Sequence, residues 1–556
     1  VKKKLSRCLA AAEFGFSTRS GDRKIMSEKA SSSTGKIARS AGTVSGAVMC
    51  SRVLGLAREQ VFAHMFGAGY AYDAFVVAFR IPNLLRDLFG EGALSAAFVT
   101  VFSEYDSNKG EEATWRLASN VLVFLAMLLS LIVLLGMICA EPIVRLLAPD
   151  FAAIAGKTEL TALMSQIMFP FLILVALAAA VMGMLNTKGK FFVPAMSSSF
   201  FNLGSIIGGV SLAWLLPKFG QAAIVGMAWG TLLGGLLQLL VQLPALRKTG
   251  FRFLPHLDLR DPGLRRILWL MLPATIGLSA TQINVFVNTN FAASCMEGSV
   301  SWLNYAFRLV QLPIGVFGVA FSIAAMPVLA RHAAQKDLAG LRQTFSSSLV
   351  MVFSLTIPAT VGLILLAGPI IRLIFEHGAF TAEDTRRTAD ALICYSCGLF
   401  AYSAVKIMVP VFYALNDTKY PVISSFLAVA ANILFITLTI DLLSFRAIAL
   451  STSCAMILNF LFLGTVLHRK LAGFSLKNLG LGALKILAAS SVMAGGLFGT
   501  KALLQPLLAG AIPLQLAGVA LLIGGAGLLY AAALHLLKLP EFDEVSGKIR
   551  QRLARR

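Results

Sequence analysis

Apolar residues run in blocks of about twenty from Ala41 to Leu537, separated by short polar breaks. One helix needs roughly 20 apolar residues to cross the hydrocarbon of a bilayer. A membrane barrel would show segments of about 10 residues alternating in polarity instead, and no such alternation runs through this chain. Helices pair their own backbone polar groups, which lipid cannot do for them, so the blocks predict helices. They are expected at 40–64, 71–103, 117–139, 159–185, 193–216, 221–245, 266–293, 299–330, 343–367, 387–415, 421–440, 446–467, 478–500 and 512–537. The fold class is therefore an all-α polytopic membrane protein of about 14 transmembrane helices. Several blocks exceed a simple span, which tilt accommodates. The breaks are too short for a separate extramembrane domain.

A repeat lies within the pattern. Pro142-Ile143-Val144-Arg145-Leu146-Leu147 is echoed by Pro369-Ile370-Ile371-Arg372-Leu373-Ile374, Ala78-Phe79-Arg80 by Ala306-Phe307-Arg308, and Leu185-Asn186-Thr187-Lys188 by the Leu415–Lys419 stretch. The near-constant offset and preserved order indicate two copies. Six helices separate the copies, an even number, so both copies have the same orientation. Parallel repeats of this kind enclose a substrate site between them. The organisation expected is a basic N-terminal cytoplasmic segment 1–38, an N-lobe 39–246, a basic cytoplasmic linker 247–265, a C-lobe 266–470, two added helices within 471–537, and a basic cytoplasmic tail 538–556. Met26 is the expected start, and residues 1–25 are assigned no function.

Composition sharpens this. Of 556 residues 57% are hydrophobic and 13% charged, too few charges to cover a soluble surface. The net charge of +21 does not point to nucleic acid. Most Lys and Arg fall on one side of the predicted topology, as in the loop from Arg247 to Arg266, and basic loops mark the cytoplasmic face. Both termini are then cytoplasmic. Cys394 and Cys397 form a CxxC inside an apolar helix, without the context of a redox motif. No metal-ligand spacing and no phosphate-binding loop appears, so the chain carries no ATP motor of its own.

The informative residues are charges inside the apolar blocks: Arg52, Arg58, Arg80, Arg86, Arg308, Lys406 and Lys485. An arginine at the bilayer centre costs about 2.5–3.5 kcal/mol on the lenient scale, so such residues face a cavity or a partner. Snorkelling to the interface is the simple account of Lys485, while for Lys406 both snorkelling and an inward-facing role stay open. Asp73, Arg80 and Asp87 are spaced by seven on helix 2, and Asn83 and Glu91 extend that stripe. On helix 1, Arg52 and Glu59 share a face. The expected structural pairs are Arg52 with Glu59, and Arg80 with Asp73 or Asp87. Helices 7 to 12 hold almost no acidic residue within the membrane, so Arg308 is unpaired in its own half, which implies an anion from helix 2 of the other half or from a substrate. Arginine grips phosphate with two hydrogen bonds at once, so a cationic cavity between the halves points to a phosphate-bearing substrate.

Several stretches resemble the MurJ (MviN) family of lipid II flippases. They are Ser51-Arg52-Val53-Leu54-Gly55-Leu56-Ala57-Arg58-Glu59, Phe66-Gly67-Ala68-Gly69, Pro82-Asn83-Leu84-Leu85-Arg86, Ser299-Val300-Ser301-Trp302, Leu312–Gly318 and Asp417-Thr418-Lys419. The resemblance covers roughly 38–537. It implies two six-helix lobes around a cavity, plus two C-terminal helices forming a lipid-tail groove. It implies export of undecaprenyl-pyrophosphate-linked disaccharide-pentapeptide (lipid II) across the bacterial inner membrane for cell-wall synthesis, by a transporter and not an enzyme. By resemblance Arg52, Arg58, Arg86 and Arg308 bind substrate and Asp73 is the essential acidic position, while Arg80, Asn83, Glu91 and Glu59, from the charged stripes of helices 1 and 2, are expected to support the cavity. Phe307 and Gln311 replace acidic residues found in some members, which makes this cavity more cationic. No cofactor is expected. Some members bind sodium in the second lobe, and acidic residues are scarce there. Expected partners are lipid II, membrane lipids and other cell-wall synthesis proteins. The alternatives are another MOP-type exporter of polysaccharide units or drugs, or a membrane-embedded glycosyltransferase using the same lipid. A drug exporter would need buried carboxylates, and a transferase would need a catalytic acid or a large outer loop.

Overall fold

The computed structural model describes residues 44, 46–87, 93–543 and 547. The expectations for 1–38, Met26, Glu91 and most of the 538–556 tail lie outside the described residues. Among the described residues every regular element is helical. The first half runs α1 (46–66), α2 (Tyr70–Arg86, with Ala93–Asn108 beyond residues 88–92), α3 (Glu111–Ile138), α4 (Lys157–Thr187), α5 (Phe192–Phe219) and α6 (Ala223–Arg247). The second runs α7 (Pro262–Ala293), α8 (Ser299–Ala334), α9 (Leu338–Phe375), α10 (Ala382–Ser396 and Leu399–Ala414), α11 (Lys419–Leu443) and α12 (Phe445–Lys470). Then come α13 (Leu476–Leu503) and α14 (Ile512–Leu536).

By length and composition, 10 described helices can cross a membrane, or up to 12 if each bent pair is one span. The sequence reading of about 14 exceeds this because α1 carries three charges and the described first stretch of α2 is only 17 residues long. α1 holds Arg52, Arg58 and Glu59, and α2 holds Asp73, Arg80 and Arg86. Of those charges, Arg58, Glu59 and Arg80 turn inward to line the site.

Each half closes with a packed hairpin, α5 on α6 and α11 on α12. In the first, a Cβ on Gly230 would lie 2.4 Å from the Cα of Gly209, so the bare backbones touch. Small residues give lipid-embedded helices this close van der Waals approach, since no hydrophobic force drives them together. Asp261 starts α7 by accepting from the Leu264 N–H, with Pro262 at the first helical position. Thr381 and Asp384 form a reciprocal cap on α10.

Two expectations need correction. The segment 387–415 is not one straight helix, because α10 bends by 43° between Ser396 and Leu399. α12 reaches the bend, where the Ser453 hydroxyl donates to the Cys394 carbonyl at 2.7 Å and to that of Tyr395, which also accepts from the Gly398 N–H, at 3.1 Å. The repeated Pro-Ile-x-Arg motif also differs between copies. In the first half it forms a separate helix, Ala140–Leu147, and in the second it continues inside α9. Within α8, Pro313 leads into a π-helical turn, Ile314–Val319. Such bulges recur at functional sites, and this one faces α1.

α13 and α14 have no counterpart in the first half and pack on α9. The Tyr530 hydroxyl donates to the Ser354 carbonyl at 2.6 Å, and Lys501 Nζ to the Leu365 carbonyl at 2.9 Å. Their outer faces leave Leu484, Leu487, Phe498 and Leu528 exposed.

Candidate functional site

A small cavity, partly open to its surroundings, lies between α1, α2, α6 and α8. Its charged lining is Arg58, Glu59, Arg80 and Arg308, with Tyr72, Asn83 and Asn304 as polar company. Glu59 is 4% exposed and is shared by both halves. Its Oε1 lies 2.9 Å from Arg58 Nη2 and 3.5 Å from Arg308 Nε, while its Oε2 accepts from the Tyr72 hydroxyl at 2.6 Å. The Tyr72 oxygen accepts in turn from Asn304 Nδ2 of the second half at 3.0 Å. One buried carboxylate thus holds one arginine from each half.

Three arginines against one carboxylate leave the lining net positive. The Arg58 guanidinium also covers the Phe201 ring at 5.3 Å, and its Nε has no acceptor. Arg80 Nε is buried without an acceptor as well. Low-dielectric walls focus the field of such a lining and favour an anion of higher charge than Glu59 alone. Aromatic rings form the floor, Tyr72 stacking on Tyr305 at 4.7 Å and Phe75 on Phe79 at 6.2 Å.

The expected pairings are corrected by this geometry. Glu59 pairs with Arg58 and Arg308, not with Arg52. Ideal helical spacing put Arg52 and Glu59 on one face, but Arg52 instead lies flat on the backbone of α8. A Cβ on Gly315 would be 2.2 Å from Arg52 Nη1. Arg80 pairs with neither Asp73 nor Asp87. Asp73 is taken by Lys157 at 3.3 Å, and Asp87 by Arg86 at 2.9 Å. Arg308 does have an acidic partner from the other half, on α1 and not on α2. Of the four predicted substrate arginines, Arg58 and Arg308 line the cavity. Arg52 and Arg86 are not among its lining residues. Arg86 sits beside Asp87, whose other oxygen accepts from Gln282 of α7 at 3.3 Å.

At one end of the molecule the halves are sealed against each other. Asp73 Oδ2 accepts from the Gly298 N–H at 2.8 Å, and Oδ1 accepts from the Ser301 N–H at 2.9 Å and the Ser301 hydroxyl at 2.5 Å. The Tyr70 N–H donates to Glu297 at 2.8 Å, the Ala379 N–H to the His64 carbonyl at 2.8 Å, and the Tyr305 hydroxyl to the Gly67 carbonyl at 3.1 Å. Gly67 has a positive φ and meets Ala379 so closely that a Cβ would lie 2.5 Å from its carbonyl oxygen.

Sequence reasoning missed Lys157, Tyr72 and Asn304. Asn304 was readable, since Ser301, Asn304, Arg308 and Gln311 form a polar stripe at helical spacing on α8. Lys157 carried no local signal. It follows Gly156 at the start of α4, where a loop lysine is ordinary, yet it is 1% exposed.

Among the described residues, no group of three or more His, Cys, Asp or Glu could hold a metal ion. The second half does contain an amide knot, where Asn432 Nδ2 donates to Asn284 Oδ1 at 2.9 Å and Asn288 Oδ1 at 2.7 Å. Asn432 Oδ1 is buried without a donor.

The family profile described as Lipid II flippase MurJ matches residues 62–518. A probable lipid II flippase MurJ of Vibrio cholerae is 36% identical over 440 residues, covering 78% of this chain and 83% of that protein. The lipid II flippase MurJ of Burkholderia cenocepacia is 36% identical over 433 residues, covering 76% and 82%. Among solved structures, a lipid II flippase MurJ in an inward closed conformation superposes with a TM-score of 0.73 at 30% identity, covering 88% of this chain and 97% of that one. A multidrug-resistance MATE transporter of the MOP superfamily, inward-facing, gives 0.64 at 16% identity, a likeness of fold alone. With most of its length matched by the profile and by relatives above 30% identity, the chain belongs to the lipid II flippase MurJ family.

Proposed function

We propose that this chain flips lipid II, the undecaprenyl-pyrophosphate-linked precursor, to the outer leaflet of the bacterial inner membrane by alternating access. The observation that carries the reading is the convergence of Arg58 and Arg308, one from each half, on Glu59 inside a net-positive cavity. Glu59 stands where an anionic group is wanted. A pyrophosphate brings more charge and more acceptor oxygens than one carboxylate, and it can take both arginine forks bidentately. Tyr72 keeps Glu59 hydrogen-bonded while its arginines turn to the substrate. Arg80, which pairs with no carboxylate among the described residues, adds to the field without leaving one.

In this reading α1–α6 and α7–α12 are the two lobes, and the chain termini face the cytoplasm. The sealed end, built from the end of α1 and the starts of α2, α4, α8 and α10, is then the periplasmic side. Substrate enters the cavity from the cytoplasmic leaflet and leaves when the sealed end parts. The exposed apolar faces of α13 and α14 support a groove for the prenyl tail, which never has to leave lipid. Arg52 and Arg86 act at the rim and not in the first grip. Translocation of lipid II in reconstituted vesicles tests the proposal. Uptake should depend on the pyrophosphate, and a protein that moves the prenyl alcohol equally well overturns it.

A further inference from the structure

Asp73 does an unusual job for a residue on another half of the molecule. The N-cap of α8 is Gly298, at φ 91, and it offers no capping side chain of its own. Helix starts leave backbone N–H groups unpaired, and Asp73 supplies the missing acceptor across the seam. Asp73 is 2% exposed. Parting the halves would remove three of its four donors at once and leave a buried carboxylate looking for a partner, an arrangement of high energy.

Lys157 is the fourth donor. It belongs to the same half as Asp73, and its Nζ lies 3.3 Å from Asp73 Oδ2, the longest of the four contacts. The ammonium is held from the other side by the Phe151 ring, 4.3 Å from its centroid, also in the first half. We propose that Lys157 is a positioning residue that makes the seal reversible. While the halves are closed, α8 has first claim on Asp73. When they part, Lys157 draws in and becomes the carboxylate's remaining partner, with no other movement needed in the first half. The interaction is therefore stronger in the parted state than in the closed one, and only such a difference shifts a two-state equilibrium. This rests on the alternating-access reading, in which the seal must open in each cycle.

The test is amide hydrogen exchange at Gly298 and Ser301 in the full-length protein, because their N–H groups exchange only when the seal opens. Lys157→Met should slow exchange roughly fivefold or more, an ordinary coupling between two states, and should slow lipid II translocation with it. A lysine that merely stabilised the fold would do the opposite, and its loss would speed exchange. Lys157→Arg should restore both rates, and Lys157→Gln serves if the methionine variant does not fold. In an Asp73→Asn background the Lys157 substitution should have no effect on exchange, since its target charge is gone. Unchanged or faster exchange in a folded Lys157 variant overturns the proposal. A wild-type protein that moved no lipid II would sink the flippase reading instead, and the exchange measurement would still decide the role of Lys157.

Discussion

Replacing Arg308 by alanine tests the cavity most directly. The side chain is 38% exposed and lies 3.5 Å from Glu59, while Arg58 is at 2.9 Å and Tyr72 at 2.6 Å. Glu59 therefore keeps its two shorter contacts in the variant, and the protein should fold and insert normally. The loss falls on the substrate. Hydrogen bonds to charged groups contribute about 1.5–3 kcal/mol, and each 1.4 kcal/mol is tenfold, so transport at low substrate should fall roughly 10- to 150-fold. Partial exposure of Arg308 to water places the expected loss toward the lower end. Arg308→Lys keeps the charge but not the planar fork, so it should recover only part of the rate. The assay is initial-rate translocation of a labelled lipid II in proteoliposomes, normalised to folded protein by size-exclusion chromatography. Wild-type transport by Arg308→Ala would refute the assignment of this residue to the pyrophosphate and remove the main physical argument for a phosphate-bearing substrate.

Arg80→Ala should leave protein abundance unchanged, because Arg80 pairs with no carboxylate among the described residues, yet lower transport through the weaker cavity field; a sharp drop in abundance at normal specific transport would contradict this. Cysteines placed in the loop from Arg247 to Arg266, on a background without native cysteines, should resist impermeant reagents in intact cells, and those at Glu297 and His377 should react. Labelling of the loop from outside would reverse the proposed orientation. Photo-crosslinkers along α13 and α14 should capture a polyprenyl chain, and capture confined to α1–α12 would remove the groove. At the start of α9, the Gly340 N–H and the neighbouring His332 hold the Asp337 carboxyl below its usual range. A lowered folded value stabilises the cap above the unfolded pKa of about 3.9 and loses that contribution as pH falls through the folded value. Exchange at Gly340 should therefore quicken only in acid below about pH 4, and a rise already near neutrality would mean that another group controls it.

The membrane class and the helix order were legible because lipid imposes one strong rule, that apolar blocks of spanning length are helices. What the pattern hid was continuity. At the bend in α10 the Cys394 carbonyl is taken by Ser453 of another helix, a tertiary partner that no local pattern names. The Pro-Ile-x-Arg motif breaks the chain in one copy and not in the other, since Pro142 follows a helix end at Cys139 while Pro369 stays within α9. Proline removes one donor in both places, and packing decides whether the helix resumes.

The site shows the same division. That arginines lie inside apolar helices is a fact of sequence, and the cost of placing them there forces a functional or paired role. Their partners are a different matter. Spacing by seven placed Arg52 beside Glu59 and Arg80 beside Asp73, and both pairings fail because the stronger offers come from elsewhere. Glu59 is reached by Arg308 from the second half, and Asp73 by Lys157 and by the start of α8. A carboxylate buried between two halves chooses among all cations and N–H groups that the fold brings near it, and helical periodicity ranks only those on its own helix. The residues that matter most for movement are accordingly the ones periodicity ranks worst. A contact across the seam must be broken in each cycle, so it joins residues some two hundred positions apart. The group that takes over when it breaks can be as inconspicuous in sequence as a lysine following a glycine.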